Sequence, residues 1–244
     1  MKITVLSLFP NYFDSFVNNS IVKRAIDNNL VEFEVINFRD YTIDKHNNVD
    51  DTPYGGGAGM VLTCQPIVDC IKNVRTDNSL VIMMTPQGET FKQNKARELT
   101  NYNHLIILCG HYEGFDERIR SYVDLEISIG DYILTGGEVG ALVISDAVIR
   151  LLDGVIKEDS HNDDSYENGL LEYPQYTKPY DYEGMLVPDV LLSGHHENIR
   201  KYRLKESLKR TLLKRKDLLD NREFSKEELT LLKEINGEIN DENR

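Results

Sequence analysis

The first 155 residues alternate between strand-like and helix-like patterns. KITVLSL (2–8) is a short run of β-branched residues and leucine, and 12–29 carries helical spacing through Phe13, Phe16, Val17, Ile21, Val22, Ala25 and Ile26. EFEVINF (32–38) alternates as a strand does. LVIMM (80–84) and LIILC (105–109) are unbroken apolar runs, the form taken by strands covered on both faces. A helical stretch at 89–100 separates them, LEISIG (125–130) reads as a further strand, and EVGALVISDAVIRLL (138–152) as a long, nearly all-apolar helix. Alternation of this kind predicts an α/β fold, a parallel sheet with helices on both faces.

The pattern lapses after that helix. DGVIKEDSHNDDSYENG (153–169) is acidic and polar, and YPQYTKPYDYEGMLVP (173–188) adds prolines and tyrosines, so a mobile linker and an extended connection are expected. Helical spacing returns near His195, and Ser225 with Glu228 forms a capping box ahead of LTLLKEI. The expected organisation is an α/β domain over 1–156, a flexible linker over 157–172 and a small all-α domain over 173–244.

The chain is 40% hydrophobic and 28% charged, as suits a soluble globular protein, and no apolar run is long enough to span a bilayer. The N-terminal stretch lacks the pattern of a signal peptide, and Cys64, Cys70 and Cys109 form no CxxC pair, so reduced cysteines in a cytoplasmic protein are expected. The net charge of −13 argues against nucleic acid, but its distribution does not. Residues 200–216 hold nine Lys/Arg and one acid, and the rest of the chain holds 19 basic and 40 acidic residues, a net of −21. Such a segment is either a phosphate-binding patch or a solvated helix face.

In open parallel sheets ligands bind beyond the carboxyl ends of the strands. There this sequence places Pro86-Gln87-Gly88, then Gly110-His111-Tyr112-Glu113-Gly114, then Gly130 onward to Gly136-Gly137. Three neighbouring glycine-bearing strand ends point to a pocket lined by backbone. No GxGxxG follows the first strand, PYGGGAGM (53–60) lacks the GK[ST] of a phosphate loop, and neither zinc spacing nor a GxSxG elbow occurs.

PYGGGAGM, TPQGETF, LCGHYEGFDERI, SIGDYILTGGEVGAL and DSYENGLLEYPQYTKP, in that order, resemble the bacterial tRNA (guanine-37-N1)-methyltransferases of the SPOUT class; the likeness runs from the first strand to SGHHENIRKYRLKESL. The resemblance implies an α/β domain threaded as a C-terminal trefoil knot, a homodimer with its active site at the subunit interface, and S-adenosylmethionine as methyl donor. Backbone at Ile129, Gly130, Tyr132 and Leu134 would hold adenine and ribose, with Pro86, Gly110, Glu113, Gly136 and Gly137 completing the pocket. Asp164 would be the general base that deprotonates guanine N1, and Arg150 would stabilise charge on O6. Magnesium would be needed for transfer, with ligands that no spacing identifies.

The acceptor so implied is guanosine 37 of a tRNA that also carries G at 36. Asp50, Tyr54, Gly55 and Gly59 of the glycine loop would border the base, and Arg200, Lys201 and Arg203 would track stem phosphates. His111 stands where many members have arginine, and Gln175 and Lys178 depart from the family's PHYTRP form. A related enzyme of ribosomal RNA and a silent RNA-binding protein are the alternatives.

Overall fold

The computed structural model describes residues 1–156 and 164–242, in two compact units that divide at 158/159. The first unit is built on a five-stranded, wholly parallel sheet. Its strands are β1 (Lys2–Leu6), β2 (Glu32–Ile36), β5 (Ser79–Thr90), β6 (His104–Leu108) and β7 (Leu125–Ser128), in the order β2-β1-β6-β5-β7. Side chains alternate between two cores, as a pleated strand requires. Val81 and Met83 join Leu6, Ile106, Leu108 and helix α3 (Cys64–Val74) on one face. Ile82 and Met84 join Ile3, Val5, Leu105, Ile107 and helices α2 (Ser20–Asp27), α4 (Gln93–Leu99) and α5 (Glu138–Ile149) on the other. Both faces are dry, which is why the central strands read as unbroken apolar runs.

Two expectations are corrected within this unit. The helix expected over 12–29 is broken into a 3-10 turn (Pro10–Phe13), α1 (Asp14–Val17) and α2. Asn18 and Asn19 donate their side-chain amides to the carbonyls of Asp14 and Ser15, and Ser20 adopts φ +56°, so local side-chain bonds interrupt the helix. Strand β5 continues past LVIMM to Thr90, pairing again with β7 after an irregularity between Met84 and Glu89, and α4 accordingly starts only at Gln93. Beside the sheet, β3 (Asp50–Asp51) and β4 (Val61–Leu62) form a short antiparallel hairpin that carries the glycine loop between them.

The second unit packs α6 (His196–Lys214) against α7 (Lys226–Glu242) around Leu170, Leu208, Leu231 and Ile235. The Ser225–Glu228 capping box forms: Ser225 N–H donates to Glu228 Oε2 at 2.7 Å, and Glu228 N–H donates to Ser225 Oγ at 3.2 Å. The unit is not wholly helical. β8 (Asp181–Tyr182) and β9 (Met185–Leu186) form a hairpin whose turn residues, Glu183 and Gly184, both have positive φ, as a tight hairpin turn requires. Of the segment expected as linker, 157–163 lies outside the described residues. The remainder is tied to this unit: Leu170 is buried in its core, and Leu171 N–H donates to Thr211 Oγ1 at 2.9 Å. Among the described residues no helix is long and apolar enough to cross a membrane.

Candidate active site

The carboxyl ends of β5, β6 and β7 converge through close backbone contacts. β6 is flanked by β1 and β5, and β7 lies beyond β5. The chain leaving β7 nevertheless returns to the end of β6, where Gly137 N–H donates to Gly110 O at 2.9 Å. A Cβ on Gly137 would stand 2.8 Å from Cys109 Cα and 3.0 Å from Gly110 N, so only glycine lets the two backbones lie this close. At the third strand end, a Cβ on Gly88 would stand 2.4 Å from Ile127 N, so only glycine fits at the irregularity between Met84 and Glu89, which carries Pro86. The returning loop exposes Tyr132, Ile133 and Leu134 at 54%, 79% and 40%, an apolar bed beyond the strand ends.

The glycine loop of the β3–β4 hairpin belongs to the same place. Gly55, Gly56, Gly57 and Gly59 all have positive φ, a backbone that other residues rarely adopt. Glu113 N–H donates to Met60 O at 3.0 Å, Leu62 N–H to Gly114 O at 2.9 Å, and Asp116 N–H to Leu62 O at 2.9 Å. A Cβ on Gly59 would stand 2.4 Å from Glu113 Cγ. The structure thus brings the expected acceptor residue Gly59 against the expected donor residue Glu113. Asp116 anchors this loop by accepting from Arg118 N and Nε, and the Arg118 guanidinium beside it holds the Asp116 carboxyl well below the usual carboxylate range.

Two residues that sequence reasoning passed over meet here as well. Glu138, the first residue of α5, is 2% exposed. Ser7, just beyond β1, donates from Oγ to its Oε1 at 2.6 Å, and His111 Nε2 lies 2.8 Å from its Oε2. The signal in the sequence was faint: an acid opening a mostly apolar helix that also carries Asp146.

With this geometry in view the comparisons are decisive. Residues 1–221 match the family described as tRNA (Guanine-1)-methyltransferase TrmD. The chain belongs to that family. It is 59% identical over 218 residues to the tRNA (guanine-N(1)-)-methyltransferase of Malacoplasma penetrans, covering 89% of this chain and 96% of that one. Proteins of the same description from Halalkalibacterium halodurans (57% over 240 residues, 96% and 98% covered) and Dictyoglomus turgidum (51% over 243 residues, 99% of each) are similar from end to end.

The other candidate residues of this TrmD-family chain are carried on α5, on the β3–β4 hairpin and in the second unit. Arg150 caps the C-terminus of α5. The helix begins where the 130–137 loop ends, so twelve residues of rise put Arg150 about 18 Å from that loop along the axis. Asp164 belongs to the second unit, in a turn where Glu167 N–H donates to Asp164 O at 3.3 Å. Asp50 lies in β3 with its side of the hairpin, and Tyr54 is fully exposed at the loop tip. Among the described residues no group of three or more His, Cys, Asp or Glu is placed to hold a metal ion, so the magnesium expectation gains no residues.

The basic segment of α6 divides in two. Arg200 is held by Glu197 and by Glu227 of α7, Lys205 by Glu234 and Glu238, and Arg215 by Asp217. Lys201 lies 3.8 Å from Glu197, a looser pair. Arg203 instead packs its guanidinium 4.7 Å from the centre of the Tyr173 ring. It also lines a groove of about 930 Å³ with Tyr176, Lys178, Tyr180 and Ile199. Aromatic and cationic groups side by side are the chemistry that holds unpaired nucleotides.

Proposed function

We propose that this chain transfers a methyl group from S-adenosylmethionine to N1 of guanosine 37 in tRNA, beside the anticodon and after a G at 36. The observation that carries this reading is the contact of Gly59 and Met60 with Glu113, which seats the glycine loop of the hairpin on the strand-end loop. An acceptor base bordered by Asp50, Tyr54, Gly55 and Gly59 would then adjoin a donor held by Pro86, Gly110, Glu113 and the backbone of Ile129, Gly130, Tyr132, Leu134, Gly136 and Gly137. The exposed apolar side chains of 132–134 fit a flat adenine.

S-adenosylmethionine supplies, when bound, a methyl group already electrophilic on a sulfonium centre. The work left to the chain is at the nucleophile. Guanine N1 carries a proton, which Asp164 takes as general base, and Arg150 offsets the negative charge that spreads to O6. An ordinary carboxylate is a weak base for that proton, and each unit of mismatch costs about 1.4 kcal/mol, so the charge on Arg150 and exclusion of water around Asp164 both favour the step.

We infer that the site is completed by a second copy. Arg150 lies about 18 Å along α5 from its own donor loop. Along that helix Val139 and Val143, four residues apart, are exposed at 39% and 43%, while Ala141, Ile144, Val148 and Ile149 are buried. Two α5 helices packed antiparallel on these valines about a two-fold axis would set each Arg150 near the other's donor loop. A trefoil knot is the fold counterpart of this reading. It is supported by the return of 130–137 from beyond β5 to the end of β6. A tRNA substrate is consistent with a cytoplasmic enzyme, with Lys201 and Arg203 on stem phosphates and Arg200 joining them only by leaving its carboxylate partners.

A transcript bearing G at 36 and 37 tests the reading, against one with A at 37 and against ribosomal RNA. The expected product is one N1-methylguanosine at 37 of the first alone. Methylation of ribosomal RNA in its place would overturn it.

A further inference from the structure

The buried carboxylate of Glu138 has no part in the chemistry above, yet it joins three strand ends. Ser7, itself fully buried, gives its hydroxyl proton to Glu138 and accepts from Phe9 N–H at 2.9 Å, which ties the end of β1. His111 ties the end of β6, its ring 4.6 Å from that of Phe9. Glu138 itself directly follows the loop arriving from β7. The fit is tight, since a Cβ on Gly136 would stand 2.2 Å from His111 Nε2 and 2.5 Å from Glu138 Oε2. A buried carboxylate is costly unless its hydrogen bonds are made, so the network holds only when all three segments are in register. A helix start with no further duty would be served by an exposed acid or a small polar cap.

We propose that Glu138, with Ser7 and His111, is a positioning clamp that sets the spacing between the 109–114 and 130–137 loops and hence the affinity for the methyl donor. The proposal rests on the reading that these loops hold the donor. The groups facing the imidazole are the Glu138 carboxylate from α5, the Phe9 ring after β1 and Tyr112 on its own loop, 6.3 Å between ring centres. The Cys109 thiol beside Glu138 stays protonated, because burial pushes it well above its ordinary range.

The test is calorimetric titration of the full-length protein with S-adenosylmethionine, without RNA, between pH 5.5 and 8.5. Glu138→Ala and Ser7→Ala are expected to weaken binding about tenfold or more, while single-turnover methylation at saturating donor stays within about threefold of wild type. Glu138→Gln supplies the second signature: its amide offers both an acceptor and a donor to Ser7 and His111, so binding should recover to within about threefold of wild type. Should Glu138→Ala not fold, Ser7→Ala, which leaves the carboxylate in place, decides alone. Wild-type donor affinity in a folded Glu138→Ala or Ser7→Ala variant overturns the clamp. Failure of the wild type to bind the donor at all would instead overturn the placement of the donor and the clamp with it.

Discussion

Replacing Gly137 by alanine adds one methyl group where the returning loop meets the end of β6. The backbone there has φ −81° and ψ −11°, which alanine adopts freely, so conformational strain contributes nothing and the clash alone decides. The new Cβ would stand 2.8 Å from Cys109 Cα, 3.0 Å from Gly110 N and 3.1 Å from Cys109 Cβ. Ordinary carbon contacts lie near 3.5–4.0 Å, so loop and strand end must part by about 0.7–1 Å. Neither side can yield by a rotamer change, because two of the three atoms are backbone and Cys109 is wholly buried. Overpacking of this kind costs about 1–3 kcal/mol. If the displaced loop must be restored to bind the donor, that cost becomes a loss of about 5- to 150-fold in affinity. Titration calorimetry with S-adenosylmethionine, paired with urea unfolding, reads both quantities. Affinity within about twofold of wild type together with an unchanged unfolding midpoint would refute the reasoning, since the methyl would then be accommodated without parting the loops.

Gly237, exposed inside α7 with nothing within 4 Å of its Cβ, is the opposite case: Gly237→Ala should stabilise the second unit by about 0.5–1 kcal/mol in urea unfolding. His104, buried and 2.9 Å from Thr4 Oγ1, has its pKa lowered by burial and then by Lys2. Its contribution to stability is therefore fully present above the unfolded value near 6.5 and is lost as pH falls through the lower folded value; His104→Gln should flatten the rise in unfolding free energy across that window. Arg203→Ala should weaken tRNA binding and reduce the slope of log K against log salt by up to about one, whereas Arg200→Ala should do less, because two carboxylates already hold that guanidinium; filter binding across salt concentrations compares them.

The parts of the fold that rest on local pattern were legible. Runs such as LVIMM and LIILC declare central strands because both sheet faces are dry, and the Ser225–Glu228 box declares the start of α7. What escaped depends on contacts far apart in sequence. A single asparagine pair broke the expected 12–29 helix through its side-chain amides, and the two-residue strands of the β3–β4 hairpin are too short to show alternation. The three glycine-bearing strand ends could be read as a cluster, but the partner of each glycine could not: Gly137 meets Cys109, and Gly59 meets Glu113. Glycine at 137 answers first to that backbone contact within the chain, rather than to a ligand. The buried state of Glu138 follows from a serine 131 residues away, which no window along the chain contains.

The central claim, a site assembled from two copies, is tested most directly by mixing two inactive proteins. Gly137→Val should lack donor binding but keep Arg150 and Asp164, and Asp164→Ala should bind donor and transfer almost nothing. Unfolded together and refolded, they form mixed dimers in about half of random pairings, and each mixed dimer has one site joining an intact donor loop to an intact Asp164 from the other chain. About a quarter of wild-type methylation should return. Mixed dimers that are verified by size and tag and that remain inactive would contradict the shared site.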